Sequence, residues 1–114
     1  MTYYDAWIKA PDASGEEAIA WFPPARREAF FHIRDAIRAG RRLRGEQVDQ
    51  LTWRATLNRA ELEVLMDEIY GPAGAYEARH DGGMQHWADK MRTLRAFIAA
   101  LPADQEIVLM ADEF

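Results

Sequence analysis

Hydrophobic positions in this chain change period several times, and each change marks an element. From Tyr3 to Lys9 the pattern alternates. Tyr4, Ala6 and Ile8 fall on one side and Tyr3, Asp5, Trp7 and Lys9 on the other, as a strand with one wetter face requires. Pro11 is expected to stop it. Ser14-Gly15-Glu16-Glu17 has capping-box spacing and predicts a short helix whose apolar contacts are Ala18, Ile19, Trp21 and Phe22, ended by Pro23-Pro24.

Pro24 suits a place at or near the first turn of a second helix, which runs to about Ala39 with Gly40 as its exit. Its stripe of Ala29, Phe30, Ile33, Ala36 and Ile37 has the 3.6-residue period. From Gln47 to Leu57, Leu51, Trp53, Ala55 and Leu57 alternate with Thr52, Arg54 and Thr56, predicting a strand; a helix from Glu46 is the alternative.

Asn58 to Tyr70 is a helix, with Asn58 and Glu61 placed to cap it and Leu62, Leu65, Met66, Ile69 and Tyr70 along one face. Gly71 to Gly83 contains four glycines and reads as a loop. A last helix is expected from Met84 to Leu101, with Met84, Trp87, Met91, Leu94, Ile98 and Leu101 spaced by threes and fours. Glu106 to Phe114 closes the chain as a strand. Its continuous run from Ile107 to Ala111 suggests burial on both faces at the sheet centre.

The expected order is therefore β-α-α-β-α-α-β. It describes a small α+β two-layer sandwich over residues 1–114, with a three-stranded sheet and about four helices largely on one face. At 114 residues and 49% hydrophobic content, one folded domain with a substantial core is the natural outcome. Cysteine is absent, which removes disulfides, thiolate metal sites and a thiol nucleophile, and fits a reducing cytosol. The first residues lack the basic and apolar regions of a secretory signal, and no apolar run approaches membrane-spanning length.

Charge is unevenly spread. The chain carries −5 overall, yet Pro24 to Arg44 carries +5 through seven arginines, leaving −10 elsewhere. Arg27, Arg34, Arg38 and, if the helix continues, Arg41 fall on one stripe, with Arg42 beside it. Such a stripe could hold phosphate groups of a nucleic acid. It could also meet the acidic surface of a protein partner, or pair with nearby carboxylates, such as those of the Asn58 helix, and ask for no partner. Arginine outnumbers lysine twelve to two, which G+C-rich codons would also produce. The acidic helix face, with Glu61, Glu63, Asp67 and Glu68, offers a carboxylate array to a basic protein surface, or merely keeps the chain in solution.

Catalytic signals are sparse. His80 and Asp81, with Glu77 and His86 nearby, could form a base pair or part of a metal site, but their spacing matches no defined motif. Ser14 is the only serine and has capping work to do. Trp7 on the wetter face of the first strand, and Tyr76 in the glycine-rich loop, are candidate aromatic contacts.

The sequence thus points to a cytosolic, bacterial or phage-type protein that binds another macromolecule rather than catalyses, with no cofactor or metal. Inhibitor, immunity or adaptor activity fits, including blockade of a nucleic-acid-processing complex in the anti-CRISPR manner, on grounds of size and charge alone. Direct nucleic-acid binding through Arg27, Arg34 and Arg38, and a small enzyme using the His80-Asp81 loop, are the alternatives. A monomer is expected, or a homodimer through the Met84 helix.

Overall fold

Five antiparallel strands form one sheet in the computed structural model, which describes residues 2–40 and 43–114. Arg41 and Arg42, two of the candidate contact residues, lie outside the described residues. The strands are β1 (Tyr4–Pro11), β2 (Glu17–Trp21), β3 (Arg44–Gln47), β4 (Thr52–Leu57) and β5 (Ile107–Glu113), in the order β2-β1-β5-β4-β3. Three longer helices, α1 (Arg26–Ala39), α2 (Arg59–Tyr70) and α4 (Trp87–Ala99), accompany the six-residue α3 (Ala75–His80). The class is α+β, as the sequence implies, but the sheet has five strands rather than three.

The first extra strand replaces an expected helix. Ser14 does not cap Glu17. Instead the Asp12 carboxylate accepts the Ser14 amide at 2.8 Å and the Glu16 amide at 3.2 Å, and the Gly15 amide donates to the Asp12 carbonyl at 3.0 Å. Gly15 takes φ 85° here, a conformation that favours glycine. The turn folds Glu17–Trp21 back against β1, with Trp7 opposite Trp21 and Lys9 opposite Ile19. Pro11 ends β1 as expected.

The second extra strand, β3, has only exposed side chains and so leaves no hydrophobic signal. It pairs with β4 through Arg44 opposite Thr56 and Glu46 opposite Arg54. Gly45 is required by close approach, since a Cβ there would lie 2.4 Å from the Arg54 carbonyl oxygen. The Gln47–Leu57 segment is accordingly a strand only from Thr52, preceded by a turn.

Two helix starts also move. α1 begins at Arg26 with Ala25 as its N-cap, so Pro24 sits just ahead of the first turn. α4 begins at Trp87, leaving Met84 94% exposed and outside the apolar stripe. Part of the expected Gly71–Gly83 loop is helical, as α3. α2 follows the expected pattern: the Asn58 side chain accepts the Glu61 amide at 2.9 Å, and Glu61 Oε1 accepts the Asn58 amide at 3.0 Å.

β5 sits in the middle of the sheet, between β1 and β4. It is not buried on both faces. Ile107, Leu109 and Ala111 are fully enclosed, whereas Val108 and Met110 are only half-buried. The same alternation runs through β1, where Ala6, Ile8 and Ala10 are enclosed, and β4, where Trp53, Ala55 and Leu57 are. The enclosed face meets α1, which lies across β1 and β5, and α4, which lies against β2; α2 bridges α1 and α4. Phe30, Ile33, Leu62, Met66, Met91, Leu94 and Ile98 fill the space between. Tyr70 spans this layer and donates its hydroxyl to the Pro23 carbonyl at 2.9 Å. Among the described residues no helix packs on the opposite face of the sheet.

Ala25, the residue before α1, holds φ 103° without the freedom of glycine. Such backbone strain costs about 1–3 kcal/mol, while glycine adds about 0.5–1 kcal/mol of unfolded-state entropy to be lost. Ala25→Gly is therefore expected to raise stability by about 1 kcal/mol, read as a shift in the urea midpoint at unchanged slope.

Candidate functional site

Strand register assigns every residue of the open face. β1 contributes Asp5, Trp7 and Lys9, β5 contributes Val108, Met110 and Asp112, and β4 contributes Thr52, Arg54 and Thr56, because directly paired residues share a face. On the flanks, β2 adds Glu17, Ile19 and Trp21 and β3 adds Arg44 and Glu46. One row therefore crosses the whole sheet as Trp21, Trp7, Met110, Arg54 and Glu46. The next runs Ile19, Lys9, Val108, Thr56 and Arg44. At the end of β1, the Tyr3 amide donates to the Phe114 carbonyl at 2.6 Å and the Phe114 amide to the Tyr3 carbonyl at 2.8 Å, and their rings stack.

Trp7, one of the expected contact residues, is the centre of this surface. Its ring centroid lies 5.0 Å from that of Trp21. Trp21 and Ile19 are each 53% exposed, and Tyr3 and Phe114 more so. By sequence pattern Ile19 and Trp21 read as apolar contacts of a short helix, and Met110 as part of a strand buried on both faces. The signal that could have found them is the alternation of Glu17, Ile19 and Trp21 with two alanines, read at period two.

The face is nearly balanced in charge. Lys9, Arg44 and Arg54 stand against Asp5, Glu17, Glu46 and Asp112. Lys9 Nζ lies 3.5 Å from Glu17 Oε1, and Arg26 Nε lies 3.5 Å from Asp5 Oδ1. Asp5 and Asp112 are directly opposite each other. Burial pushes the Asp112 carboxyl above its ordinary value, the Thr52 hydroxyl opposes this by hydrogen bonding, and the charges of Asp49 and Asp5 reinforce it.

The arginine stripe lies elsewhere, on α1. Arg34 sits 4.7 Å above the Phe31 ring, Arg27 5.5 Å from the same ring, and Arg38 5.2 Å above Trp53. Arg34 also pairs with Asp35 at 3.1 Å. Their guanidinium groups thus cover aromatic rings at the edge of the core, a use that stabilises by cation–π attraction and by packing of the side-chain stem. The expected pairing of Arg34 or Arg38 with α2 is not among the described ion pairs. α1 and α2 meet instead through His32 and Glu68, 2.5 Å apart.

The other α2 carboxylates are engaged too. Glu61 closes the capping box, Glu63 lies 3.7 Å from Arg59, and Asp67 lies 3.1 Å from Arg95 of α4. Arg95 also donates to the Gly71 carbonyl at 3.2 Å, fixing the end of α2.

Tyr76 is not a surface contact. It is 3% exposed on α3, its ring 5.4 Å from Tyr70 and 4.2 Å from His80, and burial pushes its hydroxyl upward in pKa. The histidine constellation does not converge. His80 packs between Tyr76 and Trp87, Glu77 is buried, Asp81 lies 3.6 Å from Arg92, and His86 lies 3.6 Å from Asp89. His80 and Asp81 share a shallow depression that neither Glu77 nor His86 lines. Among the described residues no three potential ligands gather into a metal-binding group, and no helix is long and apolar enough to cross a membrane.

Comparison with known proteins finds no matching family model, no matching curated protein and no matching solved structure.

A carboxyl group whose folded-state pKa is raised is more easily ionised in the unfolded chain, so its ionisation lowers stability as pH climbs past the ordinary value of 3.8. Asp112→Asn keeps an acceptor for Thr52 and removes that charge. It is expected to be more stable than wild type at pH 7, with the gap closing as pH falls below that value in paired denaturant titrations.

Proposed function

We propose that this chain is a protein-binding module that acts through the open face of its sheet. The observation that carries the reading is the Trp7–Trp21 pair, flanked by Ile19, Met110 and Val108 on a face without a covering helix. Exposed, contiguous apolar surface on a small protein usually marks a contact site, and tryptophan is enriched among the residues that dominate binding energy.

Charge separates this reading from nucleic-acid binding. A polyanion rewards an excess of cations, because affinity comes from neutralised phosphates. The open face has three cations against four carboxylates, and Arg27, Arg34 and Arg38 of α1 rest on aromatic rings. A protein partner with an apolar centre and a mixed polar rim suits such a face better. Inhibitor, immunity or adaptor activity is compatible with this mode of action, including occlusion of a nucleic-acid-processing complex. The reading is non-enzymatic, and the cysteine-free composition is what supports a cytosolic setting.

Affinity capture from the native host with wild type, Trp21→Ala and Arg38→Gln tests it. One protein should co-purify with wild type and with Arg38→Gln. Trp21→Ala, at an exposed position, should retain the wild-type circular dichroism and weaken capture by more than about tenfold, in line with a hot-spot truncation. Undiminished capture by Trp21→Ala would refute the assignment. So would tight binding of labelled single-stranded DNA at about 50 mM salt that falls steeply as salt rises.

A further inference from the structure

The two edges of the sheet are treated differently by the sequence. β3 is four residues long, entirely exposed, and alternates Arg44 and Glu46 with Gly45 and Gln47. Charge, brevity and glycine all discourage another strand from adding there. β2 is less protected, with one charge, Glu17, at its first position and no glycine. Its residues are Glu17, Ala18, Ile19, Ala20 and Trp21, with no proline and no lysine, and its two large apolar side chains are half exposed.

Backbone geometry shows what this edge presents. The Phe22 amide donates to the Ala6 carbonyl at 3.0 Å, and the Asp12 amide donates to the Glu16 carbonyl at 2.7 Å. In an antiparallel ladder the hydrogen-bonding direction alternates residue by residue. Ala18 and Ala20 therefore direct their amides and carbonyls at β1, whereas Glu17, Ile19 and Trp21 direct theirs away from the sheet. A groove of about 590 Å³ between β2 and α4, lined by Ile19, Trp21, Phe22, Lys90, Leu94 and Phe97, leaves space beside the strand.

We propose that β2 is the interface of a two-fold homodimer, in which the β2 strands of two copies pair antiparallel about Ile19. This goes beyond the partner-binding reading and stands without it. The register is self-complementary. Ile19 faces the partner's Ile19, and Glu17 faces the partner's Trp21 at both ends, so all three outward-directed residues of each strand find backbone partners. An isologous contact requires this symmetry. The register also keeps like charges apart. The two copies of Glu17 are offset by four residues, about 14 Å along the strand, beyond the screening length of about 10 Å at 0.1 M salt. Each remains beside Lys9 of its own chain. The charged lining of the groove carries both signs, Arg26 and Lys90 with Asp89, and Arg26 already pairs with Asp5, so the groove favours neither an anionic nor a cationic peptide over a second copy. Dimerisation joins two five-stranded sheets into one of ten and brings two Trp7–Trp21 pairs onto a common face.

Sedimentation velocity on the purified chain, over a concentration series, tests this without the unknown partner. Wild type should reach about twice its 13.1 kDa mass. Ile19→Pro deletes an amide that β1 does not use and should weaken the dimer by more than about tenfold, since at least two backbone hydrogen bonds are lost. Ile19→Lys, which leaves the backbone intact, should do the same and covers the case where the proline variant misfolds. Gln47→Lys on the opposite edge should leave the dimer unchanged. A wild-type chain that stays monomeric up to about 0.5 mM overturns the proposal, because such weak pairing lies below functional affinities. So does a dimer that survives both Ile19 substitutions, or one that Gln47→Lys dissolves. Undiminished partner capture by Trp21→Ala would count against the open-face reading alone and leave the dimer proposal standing.

Discussion

The pairing of β5 with a strand on either side is the constraint on which the rest of this structure depends. Held between β1 and β4, it must present alternate side chains to opposite faces. Ile107, Leu109 and Ala111 go to the helices, which fixes where α1 and α4 pack. Val108 and Met110 then have nowhere to go but the uncovered side, where they join Trp7 and Trp21. A helical layer on one face and an apolar strip on the other are two results of one register. Shifting that register by a single residue would exchange the two faces and bury Asp112 in the core.

Charge segregation along the chain finds a structural explanation. The basic helix and the acidic helix do pack together, but not by matching arginine to carboxylate. His32 and Glu68 make the direct link. The arginines spread over Phe31 and Trp53, and the acids of α2 pair with Arg59 and Arg95 or close the α2 cap. Pairs of this exposed kind contribute about 0–1 kcal/mol each, so their value lies in orienting α1, α2 and α4 against one another.

Elements with a long, single period were legible in the sequence, α1, α2, α4 and β1, and β5 was legible as a strand from its continuous apolar run, though not which of its residues face the helices. What was missed has physical reasons. In β2 the run Ala18, Ile19, Trp21, Phe22 satisfies a helix stripe and a strand alternation equally over five residues. The Asp12 carboxylate, which organises the turn, lies outside the capping-box pattern that Ser14 and Glu17 suggest. β3 owes its existence to backbone pairing and to the missing side chain at Gly45, neither of which leaves a hydrophobic trace. α3 lies among glycines and is secured by Tyr76 packing on Tyr70 across the short turn from α2, a contact that a six-residue segment between glycines does not announce as a hydrophobic period. Of the candidate site, Trp7 was visible because its own strand alternates cleanly. Its neighbours on β2 and β5 were not, because membership of that face is decided by strand order.

Strand order also has a temporal side. β1 and β2 form one local hairpin and β3 and β4 another, each closed by a short turn. The strand that unites them is the last of the nine elements, and during synthesis it emerges after both hairpins and all four helices described here. Until then the edges of β1 and β4 that β5 occupies in the finished sheet have no strand to pair with. The nascent chain thus carries two exposed strand edges that the finished sheet does not, and protection of those edges falls to whatever receives the chain as it is made.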